Sequence, residues 1–129
     1  MRLAYRLVNV FTQNSGRLTG NPLCVFEDGG GLDAAQMQAL ALQFNLSETT
    51  FITKSEKADA RVRIFTPSYE MPFAGHPTLG TAHVVRSLKN AGDNLALELN
   101  VGVIPVTARG NQWELRDWSS DVCSSDLWV

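Results

Sequence analysis

The chain has 129 residues, of which 44% are apolar and 19% charged, and its formal net charge is −2. This length and composition predict one soluble globular domain, an enzyme or a binding domain of the cytoplasm. Nucleic-acid and membrane partners are not expected, because there is no surplus of Lys and Arg to neutralise phosphates and no apolar run approaches the roughly 20 residues that cross a bilayer.

Short apolar runs alternate along the chain with two segments of helical periodicity. Strands are predicted where β-branched, aromatic or alternating apolar residues lie between turn residues. The predicted strands are residues 3–11, 23–26, 49–53, 61–65, 95–101, 103–108 and 113–115. Residues 16–22 contain Gly, Thr, Asn and Pro and are predicted to form a loop. Hairpin-linked strands with two helices indicate a mixed α/β or α+β fold.

The first helix is predicted to begin after Asp33 and to end at Asn45. Gln36, three residues after Asp33, completes the pattern of a capping box. The apolar residues that recur on one face of this helix are Met37, Leu40, Ala41 and Phe44. That spacing is typical of an amphipathic helix with one buried face.

The second helix is predicted from Gly75 to about residue 90, with Pro77 in its first turn, where a missing N–H costs nothing. Its buried stripe is predicted to consist of Leu79, Ala82, Val85 and Leu88. His83 lies on another face and is interpreted as a surface or packing residue.

The composition changes abruptly after Leu115. Residues 117–127 resemble, residue by residue, the translation of a common sequencing-library adapter; a native loop rich in Ser and Asp is the alternative. We therefore divide the chain into a domain of residues 1–115 and a tail of residues 116–129 that is predicted to be non-native. Cys123, in this tail, is given no function.

Glu48 is the first candidate for chemistry, because it lies between the first helix and an apolar strand. A carboxylate at the start of such a strand is expected to be partly desolvated, which raises its pKa toward the range where it can take and return a proton. The hydroxyls of Ser47 and Thr49 are placed to orient it. Spacing alone, however, favours an exposed Glu in a Ser-x-x-Thr turn.

Gly75 and His76 are the second candidates, because they lie at the start of the second helix. The N–H groups of a first helical turn attract anions, and a glycine lets a ligand approach the backbone. The positive end of the helix favours neutral His76, which suits hydrogen bonding to a substrate. A structural histidine is the alternative.

Other candidates are weaker on the sequence alone. Asn21 is predicted to lie in a turn and could donate to a substrate carboxylate, although Asn-Pro is also an ordinary turn former. Glu70 either anchors the loop before His76 or is solvated. Cys24 lies in an apolar strand and is predicted to be a core residue. No dinucleotide, Walker A or zinc motif is present, so no metal site is expected.

Several of these segments resemble one family when they are taken in order. They are Gly20-Asn21-Pro22, Leu46-Ser47-Glu48-Thr49 and Phe73-Ala74-Gly75-His76-Pro77-Thr78-Leu79-Gly80. Together they resemble the phenazine biosynthesis PhzF-like isomerase family, from the start of the chain to about Leu115. The resemblance implies a diaminopimelate epimerase-like fold, in which a curled, mostly antiparallel sheet surrounds a central helix. In that fold, two similar lobes enclose the active site.

The resemblance also implies roles for individual residues. Glu48 matches the acid/base that shuttles a proton. Asn21, Ser47, Gly75 and His76 match positions that bind the substrate. The reaction implied is a proton transfer at carbon on a small cyclic carboxylic acid, without metal or organic cofactor.

Two departures from the family are visible. Asn9 stands where the family usually has an aspartate, and family members are longer than this chain. We therefore expect the second lobe of the protein to be missing and the 129-residue chain to have little activity by itself. The resemblance further implies a homodimer.

Two other functions stay open. An epimerase or racemase of the same fold would use a pair of cysteine bases, but neither candidate turn contains a thiol. A non-catalytic module would bind ligands or dimerise on the same scaffold, without exchanging protons with a bound acid.

Overall fold

A computed structural model of the chain describes residues 2–10, 20–110, 112–116 and 122–128. Nine strands and two helices lie within these ranges. In chain order they are β1 (Tyr5–Val10), β2 (Asn21–Phe26), α1 (Ala34–Phe44), β3 (Thr49–Thr53), β4 (Ala60–Phe65), β5 (Glu70–Met71), α2 (Gly75–Lys89), β6 (Asn94–Leu99), β7 (Gly102–Arg109), β8 (Gln112–Arg116) and β9 (Val122–Trp128). Neither of these two helices is both long and apolar enough to cross a membrane.

All the strands belong to one sheet, in the order β3-β2-β1-β9-β8-β7-β6-β4-β5. The strand β3 also pairs with β4, which brings distant parts of the sheet together and curls it. Among the described strands, the neighbours are antiparallel except for β2 with β3 and β4 with β6. The mixed α/β class and the curled, mostly antiparallel sheet are therefore confirmed.

Helix α2 lies inside the curled sheet and contacts β1, β2, β3, β4, β6, β8 and β9. Because strands surround it, its buried residues extend beyond one stripe. They are Pro77, Thr78, Leu79, Gly80, Thr81, Ala82, Val84 and Val85. The prediction that Leu88 is buried is wrong: its side chain is 40% exposed, in a last turn where residues 87–89 all face solvent.

Helix α1 packs outside the sheet, against β3 and β4. Its capping box at Asp33 and its end at Asn45 are both confirmed, and Asn45 lies in the left-handed region. Its buried face meets a second apolar cluster on the outer side of the sheet, to which Cys24 belongs. This position confirms Cys24 as a core residue, and burial raises the pKa of its thiol to about 12.

Strand β2 begins earlier than the sequence predicts. Asn21 and Pro22 belong to it, paired with Val10 and Asn9, so the prediction that Asn21 lies in a turn is wrong. Proline is tolerated there because β2 pairs with β3 only from Cys24 onward, so no ladder bond to β3 is lost. Most of the predicted loop at residues 16–22, and the end of the first strand at Phe11, lie outside the described residues.

Two strands have no counterpart among the predicted elements. Strand β5 has two residues, which are too few to show a period. Strand β9 lies in the predicted tail, where its backbone pairs with β8 and β1. Backbone groups along a strand edge accept another extended segment regardless of its sequence pattern, so pairing needs no apolar alternation. Residues 117–121 of the tail lie outside the described ranges, and the boundary at residue 115 stays a prediction.

Helix α2 packs tightly against β1 and β2 at Gly80. A Cβ atom at this position would lie 2.6 Å from Leu23 Cδ2 and 3.0 Å from Val10 Cγ2. Both neighbours are fully buried, so neither side chain has room to move away.

We predict that Gly80→Ala lowers the free energy of unfolding. Overpacking costs about 1–3 kcal/mol and exceeds the gain of about 1 kcal/mol in helix propensity. Urea denaturation monitored by circular dichroism measures the difference. Gly92→Ala is the control, because a Cβ at Gly92 would meet nothing within 4 Å. Equal unfolding midpoints for Gly80→Ala and the unmodified chain would contradict this packing.

Candidate active site

Glu48 directly precedes β3, at the end of the connection from α1. Asn45 turns the chain there with φ 55°, in the left-handed region that asparagine tolerates. The Glu48 side chain is 17% exposed, so the expected partial desolvation is confirmed and the exposed alternative is wrong. Burial raises the pKa of the Glu48 carboxyl.

His76 is the second residue of α2, and its side chain is 10% exposed. Its Nδ1 atom lies 3.1 Å from Glu48 Oε2. Burial lowers the pKa of the imidazole. Burial thus disfavours the charged form of both groups.

The Glu48 carboxyl keeps an unused acceptor. Its Oε2 atom is buried and accepts no hydrogen bond from the described residues, so the approach of His76 Nδ1 is a close contact without hydrogen-bond geometry. A buried carboxylate oxygen without a donor costs stability, and such groups are concentrated at functional sites. The Glu48 carboxyl therefore carries a buried acceptor that no described residue satisfies.

The start of α2 is open beside this pair. Its N-cap residue, Ala74, supplies no side-chain hydrogen bond, and Pro77 in the first turn has no N–H. A Cβ at Gly75 would have Leu115 Cδ2, at 4.0 Å, as its nearest neighbour. There is thus space around the Gly75 α-carbon, at a helix end whose dipole favours an anion.

Two buried hydroxyls connect β3 to α2 below the site. Thr50 Oγ1 lies 2.7 Å from Thr81 Oγ1, and Thr81 Oγ1 donates to the Pro77 carbonyl at 2.6 Å. Sequence reasoning missed both residues, because a threonine in an apolar stretch fits a strand or helix without any functional meaning. The sequence signal that could have identified them is a threonine at each of two positions where a buried side chain of the same shape would usually be valine.

The remaining candidates have different surroundings. The expected orienting bond from Thr49 is wrong: its Oγ1 is buried without a hydrogen-bond partner in the described part of the chain. Ser47 is exposed at the rim beside Glu48. Asn21 is exposed at the first position of β2, and β2 runs parallel to β3. Asn21 and Ser47 therefore lie at the same edge of the sheet, where β2 and β3 begin.

Glu70 and His83, which lie outside the Glu48–His76 pair, make contacts that stabilise the fold. Arg63 donates to both carboxylate oxygens of Glu70 at 2.8 Å and holds the pKa of Glu70 below its usual value. Glu70 therefore anchors β5 to β4, the first of its two predicted alternatives. His83 packs edge-on against Trp113, which confirms it as a packing residue.

The sequence of the chain is similar to those of known proteins. The family described as phenazine biosynthesis-like protein matches residues 8–118. An uncharacterised isomerase of Pasteurella multocida is 44% identical over 111 residues, which are 84% of this chain and 38% of that protein. The trans-2,3-dihydro-3-hydroxyanthranilate isomerase of Pseudomonas aeruginosa is 44% identical over 102 residues, 78% of this chain and 36% of that enzyme. The chain spans little more than a third of these curated relatives.

Solved structures show the same likeness. A PhzF-family phenazine biosynthesis protein of Enterococcus faecalis superposes with a TM-score of 0.80 at 33% identity, over 89% of this chain and 44% of that one. A hydroxyproline epimerase of Agrobacterium vitis superposes with a TM-score of 0.62 at 15% identity, over 89% and 41% of the two chains. The second likeness concerns the fold alone, and it confirms the epimerase-like architecture.

We predict that Glu48→Gln stabilises the fold at neutral pH. Because burial raises the pKa of folded Glu48, its contribution to stability is present below the ordinary value of 4.5 and is lost as the pH rises through the folded-state pKa. Removing the buried charge should recover on the order of 1 kcal/mol at neutral pH.

Urea denaturation at pH 4.5 and at neutral pH measures this difference. Glu56→Gln is the matched control, because Glu56 is exposed in the loop between β3 and β4. If Glu48→Gln is no more stable than the unmodified chain at neutral pH, the carboxyl is not desolvated.

Proposed function

The chain belongs to the phenazine biosynthesis-like protein family, and we propose that it forms the part of an isomerase that carries the acid/base. The proposed reaction moves a proton between carbon atoms of a small cyclic carboxylic acid. The observation that carries the proposal is the desolvated Glu48 carboxyl, 3.1 Å from His76 beside the uncapped start of α2.

The proposed mechanism uses Glu48 as both base and acid. The carboxylate takes a proton from a ring carbon of the substrate, and the electron pair of that C–H bond shifts the adjacent double bond. The same carboxyl then returns the proton to another carbon on the same face. A raised pKa supports this role, because a stronger base takes a carbon-bound proton more readily. The scheme is redox-neutral and needs neither a metal nor an organic cofactor.

The substrate carboxylate is proposed to bind at the start of α2. The Gly75 amide and the helix dipole supply the attraction for an anion, and neutral His76 supplies a hydrogen bond. Ser47 and Asn21, exposed at the same edge, are proposed to contact the outer part of the substrate. The reacting carbon is proposed to lie against the Glu48 carboxyl, which borders this anion site.

The opposite side of the cleft is proposed to come from a second lobe. The relatives are much longer than this chain, and a Cβ at Gly75 would meet no atom nearer than Leu115 Cδ2, at 4.0 Å, apart from its chain neighbours and its own helix. We propose that residues 1–115 form one lobe and that residues 116–129 are a non-native tail, whose strand β9 pairs with the sheet of that lobe. The whole protein is proposed to be cytoplasmic and, as the family resemblance implies, a homodimer.

Cysteine-based epimerisation is less well supported. Cys24 lies between α1 and the sheet, and burial raises the pKa of its thiol to about 12, so thiolate is scarce. The side chain of Cys123 lies outside the described part of the chain.

We predict that the full-length gene product catalyses deuterium uptake from heavy water into trans-2,3-dihydro-3-hydroxyanthranilate or a related cyclic acid. Glu48→Gln should lower the rate by about 10²- to 10⁴-fold, because general acid–base catalysis contributes that much. NMR spectroscopy of the substrate measures the uptake. Glu56→Gln, at an exposed position, is the control and should leave the rate unchanged.

Two results would contradict the proposal in different ways. Turnover that survives Glu48→Gln would show that another group is the base. Binding of such acids with no deuterium uptake would indicate a non-catalytic ligand-binding module.

A further inference from the structure

The two threonines between β3 and α2 are unusual in their surroundings. Thr50 and Thr81 are both fully buried, within the apolar interior that surrounds α2. Valine has nearly the same shape as threonine and would fill either position without burying a hydroxyl. Packing therefore does not explain the pair, and its hydrogen bonds need another reason.

The donor in each of these hydrogen bonds follows from the single hydrogen that a hydroxyl carries. Thr81 Oγ1 donates to the Pro77 carbonyl at 2.6 Å. A hydroxyl has a single hydrogen, so in the 2.7 Å contact between the two threonines Thr50 must be the donor. The result is a relay from Thr50 to Thr81 to the Pro77 carbonyl, which joins the strand to the first turn of the helix.

The relay ends beside the candidate catalytic pair. Thr50, in β3, lies two residues after Glu48, and Pro77 directly follows His76. The Glu48–His76 contact and the hydroxyl relay therefore join the same two elements, one at the rim and one in the core. The hydroxyl relay is directional and constrains the rotation and the height of α2 against β3, whereas apolar contacts alone are not directional.

We propose that Thr50 and Thr81 are positioning residues, whose relay to the Pro77 carbonyl sets the placement of His76 against Glu48. A second hydroxyl bond acts within the helix, where Thr78 Oγ1 donates to the Ala74 carbonyl at 2.7 Å and holds the uncapped first turn. The importance of this placement for catalysis rests on the proposed function, since errors of about 1 Å in such a pair can cost about 100-fold in rate.

The test measures the coupling between Glu48 and His76 in the 129-residue chain. NMR titration of the His76 imidazole is carried out with and without Glu48→Gln, and the shift in midpoint is the coupling. The same pair of titrations is repeated in the Thr50→Val/Thr81→Val background. Removing both hydroxyls leaves no buried hydroxyl without a partner, and the Pro77 carbonyl can still accept a backbone hydrogen bond within α2. This variant should therefore remain folded.

The relay predicts that the coupling is lost in the double valine variant while its unfolding midpoint changes little. Thr53→Val is the matched control: it removes a hydroxyl at the other end of β3, which donates to the Arg61 carbonyl, and should keep the coupling. Unchanged coupling in the double valine variant would overturn the proposal.

Serine variants keep the test decisive if the valine variant fails to fold. Thr50→Ser/Thr81→Ser retains both hydroxyls and removes only methyl groups, so it should keep the coupling despite lower stability. Loss of coupling in this variant would also overturn the proposal. The readout needs no substrate, so an inactive gene product with intact, relay-dependent coupling would contradict the proposed function and leave the positioning role standing.

Discussion

The enclosure of α2 by the sheet is the constraint on which the site depends. A helix surrounded by strands presents its first turn at the rim of the sheet, where strands also begin or end. Glu48 precedes β3 at this rim, so the fold brings a carboxyl and an imidazole to 3.1 Å although 28 positions separate them in the sequence, 76 minus 48. No local interaction between these two segments would do this.

The same enclosure accounts for the electrostatics of the pair. Strands and helix exclude water from both side chains, which raises the pKa of Glu48 and lowers the pKa of His76. A buried oxygen without a protein donor lowers stability, and evolution retains such groups where they serve function. The Thr50–Thr81 pair, by contrast, satisfies its own hydrogen bonds and joins the two elements. The Glu48 carboxyl thus keeps an oxygen that no described residue satisfies, whereas the hydroxyls of the two threonines are hydrogen-bonded.

Local chemistry was predictable from the sequence, and tertiary surroundings were not. The capping box at Asp33 and the end of α1 at Asn45 depend on neighbouring residues alone, and both were predicted correctly. The burial of Thr81 was not predicted, because a single apolar stripe assumes a helix with one buried face. Family resemblance pointed to Glu48 and His76, but spacing alone favoured an exposed Glu48. What desolvates Glu48 is contact between distant segments, which no periodicity encodes.

The most direct test of this account is a carbon-13 NMR titration of the Glu48 carboxyl in the 129-residue chain. The account predicts a midpoint above the ordinary value of 4.5 and a response of the carboxyl signal when His76 is protonated. A midpoint at or below that value, with no response to His76, would contradict it.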